Sequence, residues 1–249
     1  MKFVKTPYLP QSDVQLCIAG NGIKPFKNEL LKLGVNTIIT AENRFVSPNI
    51  ANHADLVMNY CGNGTFFADN SQNSLITKLN MSGFDCKIIE EKVSGKYPDD
   101  CLLNCIFSDK YLICNSNCTS KSVLNFAERC NKTVLHVKQG YVKCSICPVE
   151  KNAFITDDES IYKVLTQNKS DVLLIKKGSV VLKGYNYGFF GGCSGKISDK
   201  NIVFFGDIKK HSCYDNIKAF TKNYGIELIS LGNNELLDIG SLIPIAEKE

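Results

Sequence analysis

Apolar runs, polar turns and amphipathic segments follow one another in a recurring order along this chain. In the clearest stretch, apolar runs at 144–149 and 153–156 flank a polar turn, and the segment DESIYKVLTQNKS follows. There Ile161, Val164 and Leu165 lie at i, i+3 and i+4 behind an acidic first turn, which predicts an amphipathic helix. The run DVLLIKKG predicts a strand buried on both faces. The stretch is therefore predicted to be a β-β-α-β unit.

The same order occurs in three further stretches. One upstream reads LLNCIF, SDK, YLIC, TSKSVLNFAERC and TVLHVKQG, and one downstream reads GGCSGKI, SDKN, IVFFG, YDNIKAFTKNYG and IELISLG. A looser copy begins at DLVMNY and ends at DCKIIEE. The four polar turns centre near residues 63, 109, 151 and 199. A period of about 45 residues is typical of repeat architectures, so the units are predicted to be copies of one module.

The two ends of the chain supply the remaining strands. VQLCIAGNG, FKNELLKLG and VNTIIT predict a strand, a helix and a strand, and LLDIGSLIPI predicts one strand near the C-terminus. Pairing of the last strand with the first would complete a fifth unit and remove free sheet edges. The predicted fold is a closed five-bladed α/β propeller of ββαβ repeats, with Ile18 and Ile243 in one sheet. The alternative is a two-domain doubly wound α/β fold, which expects single strand-helix steps instead of hairpins.

Composition and charge narrow the classes of protein to consider. The 249 residues are 44% hydrophobic and 22% charged, which is typical of a folded globular protein. We expect a single domain over residues 1–249. The 29 basic and 25 acidic residues are spread along the chain without a basic stripe, so no nucleic-acid partner is expected.

No targeting or membrane segment is predicted. The N-terminal stretch MKFVKTPYLPQSD lacks the apolar core of a signal peptide, and no run approaches the roughly 18 apolar residues of a membrane span. A cytoplasmic location without a membrane partner is therefore predicted. In that compartment the twelve cysteines are expected to be thiols.

Five stretches of the sequence resemble a known family: HADLVMNYCGNG, VKQGYVKCSIC, GFFGGCSGKIS, FFGDIKKH and LLDIGSLIPI. With the repeats, they resemble the pentein superfamily, or guanidino-group-modifying-enzyme (GME) fold, and in particular an uncharacterised bacterial branch of it. The resemblance covers nearly all of the chain from residue 53 onward. It implies a pocket on the ring axis, where in catalytic members carboxylates hold a guanidinium, a cysteine thiolate attacks its carbon and a histidine moves the proton.

The positions that match the catalytic motifs of that superfamily carry other residues here. The nucleophile position holds Gly240 or Ser241, and the histidine position holds Gly192 and Cys193. The acidic motif is matched by Lys143 and Cys144, and the remaining carboxylate by Asn104. No cysteine follows Cys213. A serine nucleophile needs a base, which the neighbouring unit is not expected to supply. The chain is therefore expected to lack the Cys/His/carboxylate set and ordinary guanidine hydrolysis.

Polar residues from several units are still expected to line the axial pocket. The predicted ligand-binding residues are Asp55, Asn104, Lys143, Ser145, Gly192, Ser194 and Asp238. Strand alternation would point His53 and Asp55 the same way, so His53, Asp55 and Asp238 are the candidate catalytic residues. The glycines of GFFGGCSGKIS either let backbone approach a ligand or relieve crowding of strands at the axis.

Three hypotheses for function remain. The first is a GME-fold protein that binds a small polar or zwitterionic molecule through mixed Lys and Asp charges, without a cofactor or a metal. The second is a divergent hydrolase or amidinotransferase acting on guanidino or amide compounds. The third is a thiol or metal-binding protein.

Two sequence features bear on the third hypothesis. Cys144 and Cys147 have C-x-x-C spacing, but a strand would point them to opposite faces, so two separate strand cysteines are expected. Cys118 is the other candidate thiol. The segment NCTSKS is expected to open a helix, whose N-terminus would lower the pKa of the Cys118 thiol, but an ordinary surface cysteine is the preferred interpretation.

Overall fold

The fold was analysed in a computed structural model, which describes residues 2–249. This part of the chain contains eighteen strands and seven α-helices. The strands are β1 (Lys2–Phe3), β2 (Val14–Ala19), β3 (Asn36–Ile39), β4 (Met58–Gly62), β5 (Thr65–Ala68), β6 (Asp85–Ile88), β7 (Ile106–Phe107), β8 (Tyr111–Cys114), β9 (Thr133–His136), β10 (Ile146–Glu150), β11 (Ala153–Thr156), β12 (Asp171–Leu174), β13 (Val180–Val181), β14 (Ser194–Lys196), β15 (Asn201–Phe205), β16 (Glu227–Leu231), β17 (Leu236–Leu237) and β18 (Ile243–Glu247). The helices are α1 (Lys27–Lys32), α2 (Ala54–Val57), α3 (Asn73–Met81), α4 (Lys121–Arg129), α5 (Val142–Ser145), α6 (Glu159–Gln167) and α7 (Tyr214–Lys222).

Five sheets share one pattern, in which an antiparallel pair of strands is extended by a parallel third strand. Four of them follow the chain: β4-β5-β6, β7-β8-β9, β10-β11-β12 and β14-β15-β16. The fifth is β18-β2-β3, with β1 beside β18. Each parallel connection carries a helix, because parallel neighbours need a crossover. The short strands β13 and β17 form a separate parallel pair.

The two ends of the chain lie in one sheet. β18 pairs antiparallel with β2, and Ile243 lies opposite Ile18. On its other side β18 pairs with β1, where Lys2 lies opposite Glu247. The Lys2 Nζ atom also lies 2.9 Å from a carboxylate oxygen of the fully buried Glu247, so a charge pair fastens the N-terminal strand.

The helices form where the sequence supplies both an apolar stripe and a cap. The Asp158 side chain accepts hydrogen bonds from the backbone N–H groups of Ser160 and Ile161, which satisfies two free donors at the start of α6. Ile161 and Leu165 are fully buried, and each contributes about 1.5–3 kcal/mol of hydrophobic stabilisation. α4 begins in the same way, with Ser120 as its cap.

Two of the predicted first strands begin later than the sequence pattern indicates. The apolar runs at 55–60 and 144–149 were expected to be strands throughout, but each opens with a one-turn helix, α2 or α5. The prediction that Cys144 lies in a strand is therefore wrong, and so is the strand alternation assumed for His53 and Asp55. A short apolar run does not distinguish helix from strand, so contacts with other units decide the local conformation.

The predicted closing strand is also interrupted. Within LLDIGSLIPI, β17 ends at Leu237 and β18 begins at Ile243, and the segment 238–242 is irregular. Gly240 and Ser241 have φ angles of 76° and 70°. Such left-handed backbone angles cannot continue a strand. The segment turns sharply and presents Asp238 and Ser241 to neighbouring units.

Aromatic and aliphatic side chains fill the space between sheets and helices and make a rigid frame for the first strands. The largest fully buried aromatic residues are Tyr60, Phe66, Phe107, Phe154, Phe190, Phe204 and Phe205. Helices long and apolar enough to cross a membrane are absent from the described part of the chain.

Candidate functional site

Asn104 holds two one-turn helices against each other at the centre of the site. Its Oδ1 atom accepts hydrogen bonds from the backbone N–H groups of Lys143 and Cys144, at 2.7 and 3.2 Å. Its Nδ2 atom donates to the carbonyl oxygen of Asp55 at 3.2 Å. These contacts stabilise the helical turn of α5 and bring Asp55, Lys143 and Cys144 together.

A chain of buried polar groups links Lys143 to Asp55. The Lys143 ammonium donates to the Ser241 hydroxyl at 2.9 Å and to the Gly191 carbonyl at 3.3 Å, and it lies 4.9 Å from the centre of the Tyr8 ring. The Ser241 hydroxyl in turn donates to Asp55 Oδ2 at 2.6 Å. We call this set the Lys143–Ser241–Asp55 chain. The positive charge of Lys143 and the negative charge of Asp55 offset each other through one hydroxyl group.

Cys144 connects this chain to an open pocket. Its thiol donates to Asp55 Oδ2 at 3.1 Å, and Asn104 Nδ2 lies 3.2 Å from the sulfur. Burial raises the pKa of the Cys144 thiol well above its usual range, and the charges of Asp55 and Asp238 raise it further. The thiol is therefore protonated at neutral pH, and it is a poor nucleophile in this state.

The pocket has a volume of about 270 Å³ and combines a polar floor with aromatic and aliphatic walls. The floor residues are His53, Cys144 and Asp238. The wall residues are Ile50, Leu56, Tyr141, Leu182, Tyr185, Asn186, Tyr187 and Phe189. We call this cavity the aromatic pocket.

Asp238 is held at the pocket floor by two backbone donors. The N–H of Phe189 donates to Oδ2 at 2.9 Å, and the N–H of Gly240 donates to Oδ1 at 3.0 Å. The nearest ionisable group is His53, whose Nδ1 atom lies 3.9 Å from Oδ1. Burial raises the pKa of Asp238, while His53 and the two backbone donors oppose the shift. A Cβ atom at Gly192 would lie 2.0 Å from Oδ1, so only glycine leaves room for this carboxylate.

The aromatic walls are positioned by contacts of their own. The Tyr141 hydroxyl donates to Asp100 Oδ2 at 2.6 Å, which fixes the ring plane. The Tyr141 and Phe189 ring centres are 6.0 Å apart, and Phe189 meets Tyr187 edge-on at 6.3 Å. All three rings line the cavity, and aromatic rings are common in sites for organic cations.

Ligand atoms of His53, Asp55 and Cys144 all lie within 4.8 Å of one another. All three side chains are buried, and Asp55 Oδ1 has no hydrogen-bond partner. A histidine, a carboxylate and a cysteine are a donor set that a borderline-soft cation such as zinc accepts. They are also the residue types that thiol chemistry on amidino carbon requires.

The structure brings most of the predicted site residues to this region, but they have different surroundings. His53 and Asp238 line the aromatic pocket, and Gly192 packs against Asp238. Asp55 and Asn104 lie behind Cys144. The assignment of these five residues as catalytic candidates or ligand contacts stays a prediction.

The other predicted residues do not line the aromatic pocket. Lys143 is turned into the Lys143–Ser241–Asp55 chain. The Ser145 hydroxyl donates to the Tyr141 carbonyl at 2.8 Å, and the Ser194 hydroxyl donates to the Gly191 carbonyl at 3.2 Å.

One sequence-based expectation is corrected by these contacts. The neighbouring unit was not expected to supply a base for Ser241, yet the Asp55 carboxylate accepts a hydrogen bond from its hydroxyl. The contact arises because the left-handed turn at 240–241 directs Ser241 inward. Ser241 has no exposed surface, so its hydroxyl serves the internal chain.

Sequence reasoning missed the aromatic walls. Four of the six residues in YNYGFF, at positions 185–190, are aromatic, and three of them line the pocket. The segment lies in a loop and has no helical or strand periodicity. The only available signal was its aromatic density in a glycine-rich context.

The fold matches solved structures of an amidinotransferase, an agmatine deiminase and DDAH. Inosamine-phosphate amidinotransferase from Streptomyces griseus has a TM-score of 0.62 at 10% identity, over 99% of this chain and 98% of that chain. Agmatine deiminase from C. jejuni has a TM-score of 0.59 at 10% identity, over 98% and 97%. DDAH from Pseudomonas aeruginosa, in a complex with citrulline, has a TM-score of 0.57 at 10% identity, over 88% and 92%.

These matches define the class of protein: a mixed α/β protein with the fold of the pentein superfamily, as the sequence resemblance predicted. The chain belongs to the family of unknown function DUF6873, whose sequence profile matches residues 18–243. No curated protein matches the sequence at a significant level.

Proposed function

We propose that the chain is a single domain over residues 1–249 and forms a closed five-bladed propeller. The pairing of β18 with β2 supports closure, because it joins both chain ends in one blade. First strands of neighbouring sheets are also in contact: β18 with β4, β4 with β7, β10 with β14, and β14 with β18. These contacts support an arrangement of blades around one axis.

We propose that the aromatic pocket binds a small organic cation of the guanidinium, amidinium or ammonium class. The observation that carries this proposal is Asp238, a buried carboxylate at the pocket floor that lacks a lysine or arginine partner within the described residues. A buried carboxylate is costly unless a cation accompanies it. A ligand cation would supply the missing charge.

The count of buried charges favours a cation over an anion or a zwitterion. Lys143 reaches Asp55 through the Ser241 hydroxyl, so a lysine accompanies that carboxylate. Asp238 has no such lysine, and His53 is the basic side chain beside it. Lys143 does not line the pocket, so the pocket does not combine Lys and Asp charges. The hypothesis of a zwitterionic ligand is therefore replaced by that of a cationic ligand.

The size and walls of the pocket define the ligand further. A volume of about 270 Å³ lies just below the range of roughly 300–1,000 Å³ for drug-sized ligands, which indicates a small molecule. Aromatic faces attract cations by about 0.5–2 kcal/mol per ring. The activities printed for the matched structures, amidino transfer and agmatine deimination, support the amidino class.

A thermal-shift screen tests this proposal. Agmatine, methylguanidine and tetramethylammonium serve as cationic probes, with alkylureas of matched length as neutral controls. The cations are expected to raise the melting temperature of the wild-type protein, since a ligand of the native state stabilises it. Equal shifts with the ureas, or none with any cation, would overturn the proposal.

A second candidate function is thiol-dependent cleavage of an amidino compound at Cys144. It is favoured by the proximity of His53, Asp55 and Cys144, and by the position of Cys144 at the pocket floor. In this reaction the thiolate forms a bond to the amidino carbon, the C–N bond breaks, and His53 protonates the departing amine. Water then releases the product from sulfur. The raised pKa of the Cys144 thiol opposes this chemistry in the unliganded protein, so binding is the better supported function.

Mass spectrometry separates the two candidates. If Cys144 cleaves an amidino compound, an amidino adduct on Cys144 or release of ammonia from agmatine is expected. Both signals should be lost in Cys144→Ser. The matched control is Cys147→Ser, since Cys147 is equally buried but lies outside the group that faces the pocket. Binding of a cation without a Cys144 adduct and without ammonia release would support the binding function over catalysis.

A further inference from the structure

A pair of cysteines outside the aromatic pocket lies in direct contact. The Sγ atoms of Cys101 and Cys118 are 3.2 Å apart, although the two residues belong to different loops. Cys101 follows the segment 97–100, and its Sγ also lies 3.0 Å from the Pro98 carbonyl oxygen. Cys118 lies two residues before Ser120, the cap of α4. The pair therefore joins the loop before β7 to the loop after β8.

Only a small movement of the two sulfur atoms would convert the thiol pair into a disulfide. A disulfide bond is about 2.05 Å long, so the sulfur atoms need to approach by only about 1.2 Å. Gly140 covers the pair closely: a Cβ atom there would lie 2.7 Å from the Cys101 Sγ atom. The surroundings therefore keep the two side chains directed at each other.

The two thiols differ in their ability to start the reaction. A hydrogen bond from Cys101 lowers the pKa of the Cys118 thiol despite its burial, so Cys118 is the more readily ionised thiol of the pair. Cys118 is 7% exposed and Cys101 only 1%, which favours Cys118 as the cysteine that an oxidant meets first.

We propose that Cys101 and Cys118 form a redox modification site that takes a hydroperoxide as oxidant and closes reversibly into a disulfide. The Cys118 thiolate attacks one peroxide oxygen, the O–O bond breaks, and hydroxide leaves, which gives a sulfenic acid. The Cys101 sulfur then attacks the Cys118 sulfur, the S–O bond breaks, and the Cys101 proton leaves with the hydroxyl group as water. The cysteine pair loses two electrons and the peroxide gains them. Because both cysteines are buried, a small oxidant reaches them more easily than a bulky disulfide does.

The test treats the reduced full-length protein with hydrogen peroxide, alkylates free thiols in denaturant, and analyses tryptic peptides by mass spectrometry. The expected product links the peptide 97–110 to the peptide 111–121, and a thiol reductant reverses the link. Because these peptides also contain Cys105 and Cys114, the Cys105→Ala/Cys114→Ala variant is needed, and it should keep the link. Cys118→Ala should abolish it.

Two further measurements keep the test decisive. In Cys101→Ala, a dimedone adduct is expected on Cys118, because its sulfenic acid can no longer condense with Cys101. Cys130 is exposed and serves as an internal reference for oxidation. The proposal is overturned if Cys130 is oxidised while Cys101 and Cys118 are both recovered as free thiols, or if the link survives in Cys118→Ala.

Discussion

Two buried carboxylates, Asp55 and Asp238, lie close together, yet their surroundings assign them different roles. Asp55 accepts hydrogen bonds from Ser241 and Cys144, and the Lys143 ammonium offsets its charge through Ser241. Asp238 has only two backbone donors and a histidine 3.9 Å away. Asp55 is therefore tied to side chains of the scaffold, whereas Asp238 has no lysine partner and is the carboxylate that we propose a ligand cation accompanies.

The two carboxylates also lie on different kinds of backbone. Asp55 lies in the one-turn helix α2, which Asn104 fastens to α5. Asp238 lies in the irregular segment between β17 and β18, where Gly192 leaves space for it. The scaffold carboxylate is fixed by side chains of other units, and the pocket carboxylate is fixed by the backbone. The backbone donors leave lone pairs of Asp238 free to accept from a ligand.

The largest expected effect comes from removing the charge that balances Asp55. Lys143→Met leaves the Asp55 carboxylate buried without a cation. We expect a loss of about 3 kcal/mol in the free energy of unfolding, since an uncompensated buried charge is strongly destabilising. Urea denaturation measures the loss.

Lys196→Met is the matched control for this variant. Lys196 is also buried, but its ammonium contacts the Val149 carbonyl at 2.8 Å instead of a carboxylate chain. We expect it to lose about 1 kcal/mol. Asp55→Asn should recover part of the stability of Lys143→Met, because the two changes share one interaction. Equal losses in the two lysine variants would contradict the assigned charge balance.

A third buried carboxylate, Asp157, extends the comparison to pH. Burial raises the pKa of Asp157 to about 7, while Lys177 opposes the shift. Since the folded state holds this proton more tightly than the unfolded state, stability should fall as pH rises from about 4 to about 7. We expect Asp157→Asn to remove about 2 kcal/mol of this pH dependence, measured by urea denaturation across the range.

The neighbouring residue Asp158 provides a control of opposite sign. Burial alone would raise the pKa of Asp158, but hydrogen bonds from Ser160 and Ile161 lower it. Its contribution is therefore present above the unfolded pKa of about 4 and is lost as the pH falls. If Asp157→Asn and Asp158→Asn changed the pH profile in the same direction, the environments assigned to the two carboxylates would be wrong.

Two substitutions of Ser241 isolate the cost of its left-handed backbone, and their expected effect on stability is smaller. Ser241→Ala and Ser241→Gly both remove the hydroxyl that links Lys143 to Asp55, but only glycine adopts the observed φ of 70° without a steric cost. We expect the glycine variant to be more stable than the alanine variant by about 1 kcal/mol in thermal unfolding. The reverse order would show that the left-handed turn is not maintained.

The smallest effect concerns the aromatic walls. Tyr187→Leu removes one ring from the pocket and is expected to weaken agmatine binding about three-fold, the equivalent of one exposed cation–π contact. Tyr187→Phe keeps the ring and should bind like the wild type. Equal affinities of the leucine and phenylalanine variants, measured by calorimetry, would exclude a role of this ring.

The sequence predicted the repeating elements well because their signals are local. The helix predicted in DESIYKVLTQNKS follows from the spacing of Ile161, Val164 and Leu165 behind an acidic first turn, and the structure has a helix there at Glu159–Gln167. The hairpins were located by their polar turns. Local patterns of this kind depend on neighbours a few residues apart, which a single sequence displays.

The site was harder to predict because it depends on contacts between units. The helical turn at Val142–Ser145 is fastened by Asn104, which lies almost forty residues earlier in the sequence. The position of Ser241 against Lys143 depends on a left-handed turn that the run LLDIGSLIPI does not reveal. The sequence offered Asp238 and His53 as candidates, the latter on a strand alternation that the structure does not have, and it did not reveal the aromatic walls around them.

Isothermal titration calorimetry of Asp238→Asn tests the central claim most directly. Agmatine is titrated into the wild type, into Asp238→Asn, and into Asp157→Asn, which removes a buried carboxylate outside the pocket. Loss of a charged hydrogen-bond acceptor is expected to weaken binding by about ten-fold or more in Asp238→Asn, with no change in Asp157→Asn. Equal dissociation constants for the two variants, or no binding of agmatine to the wild type, would contradict the account.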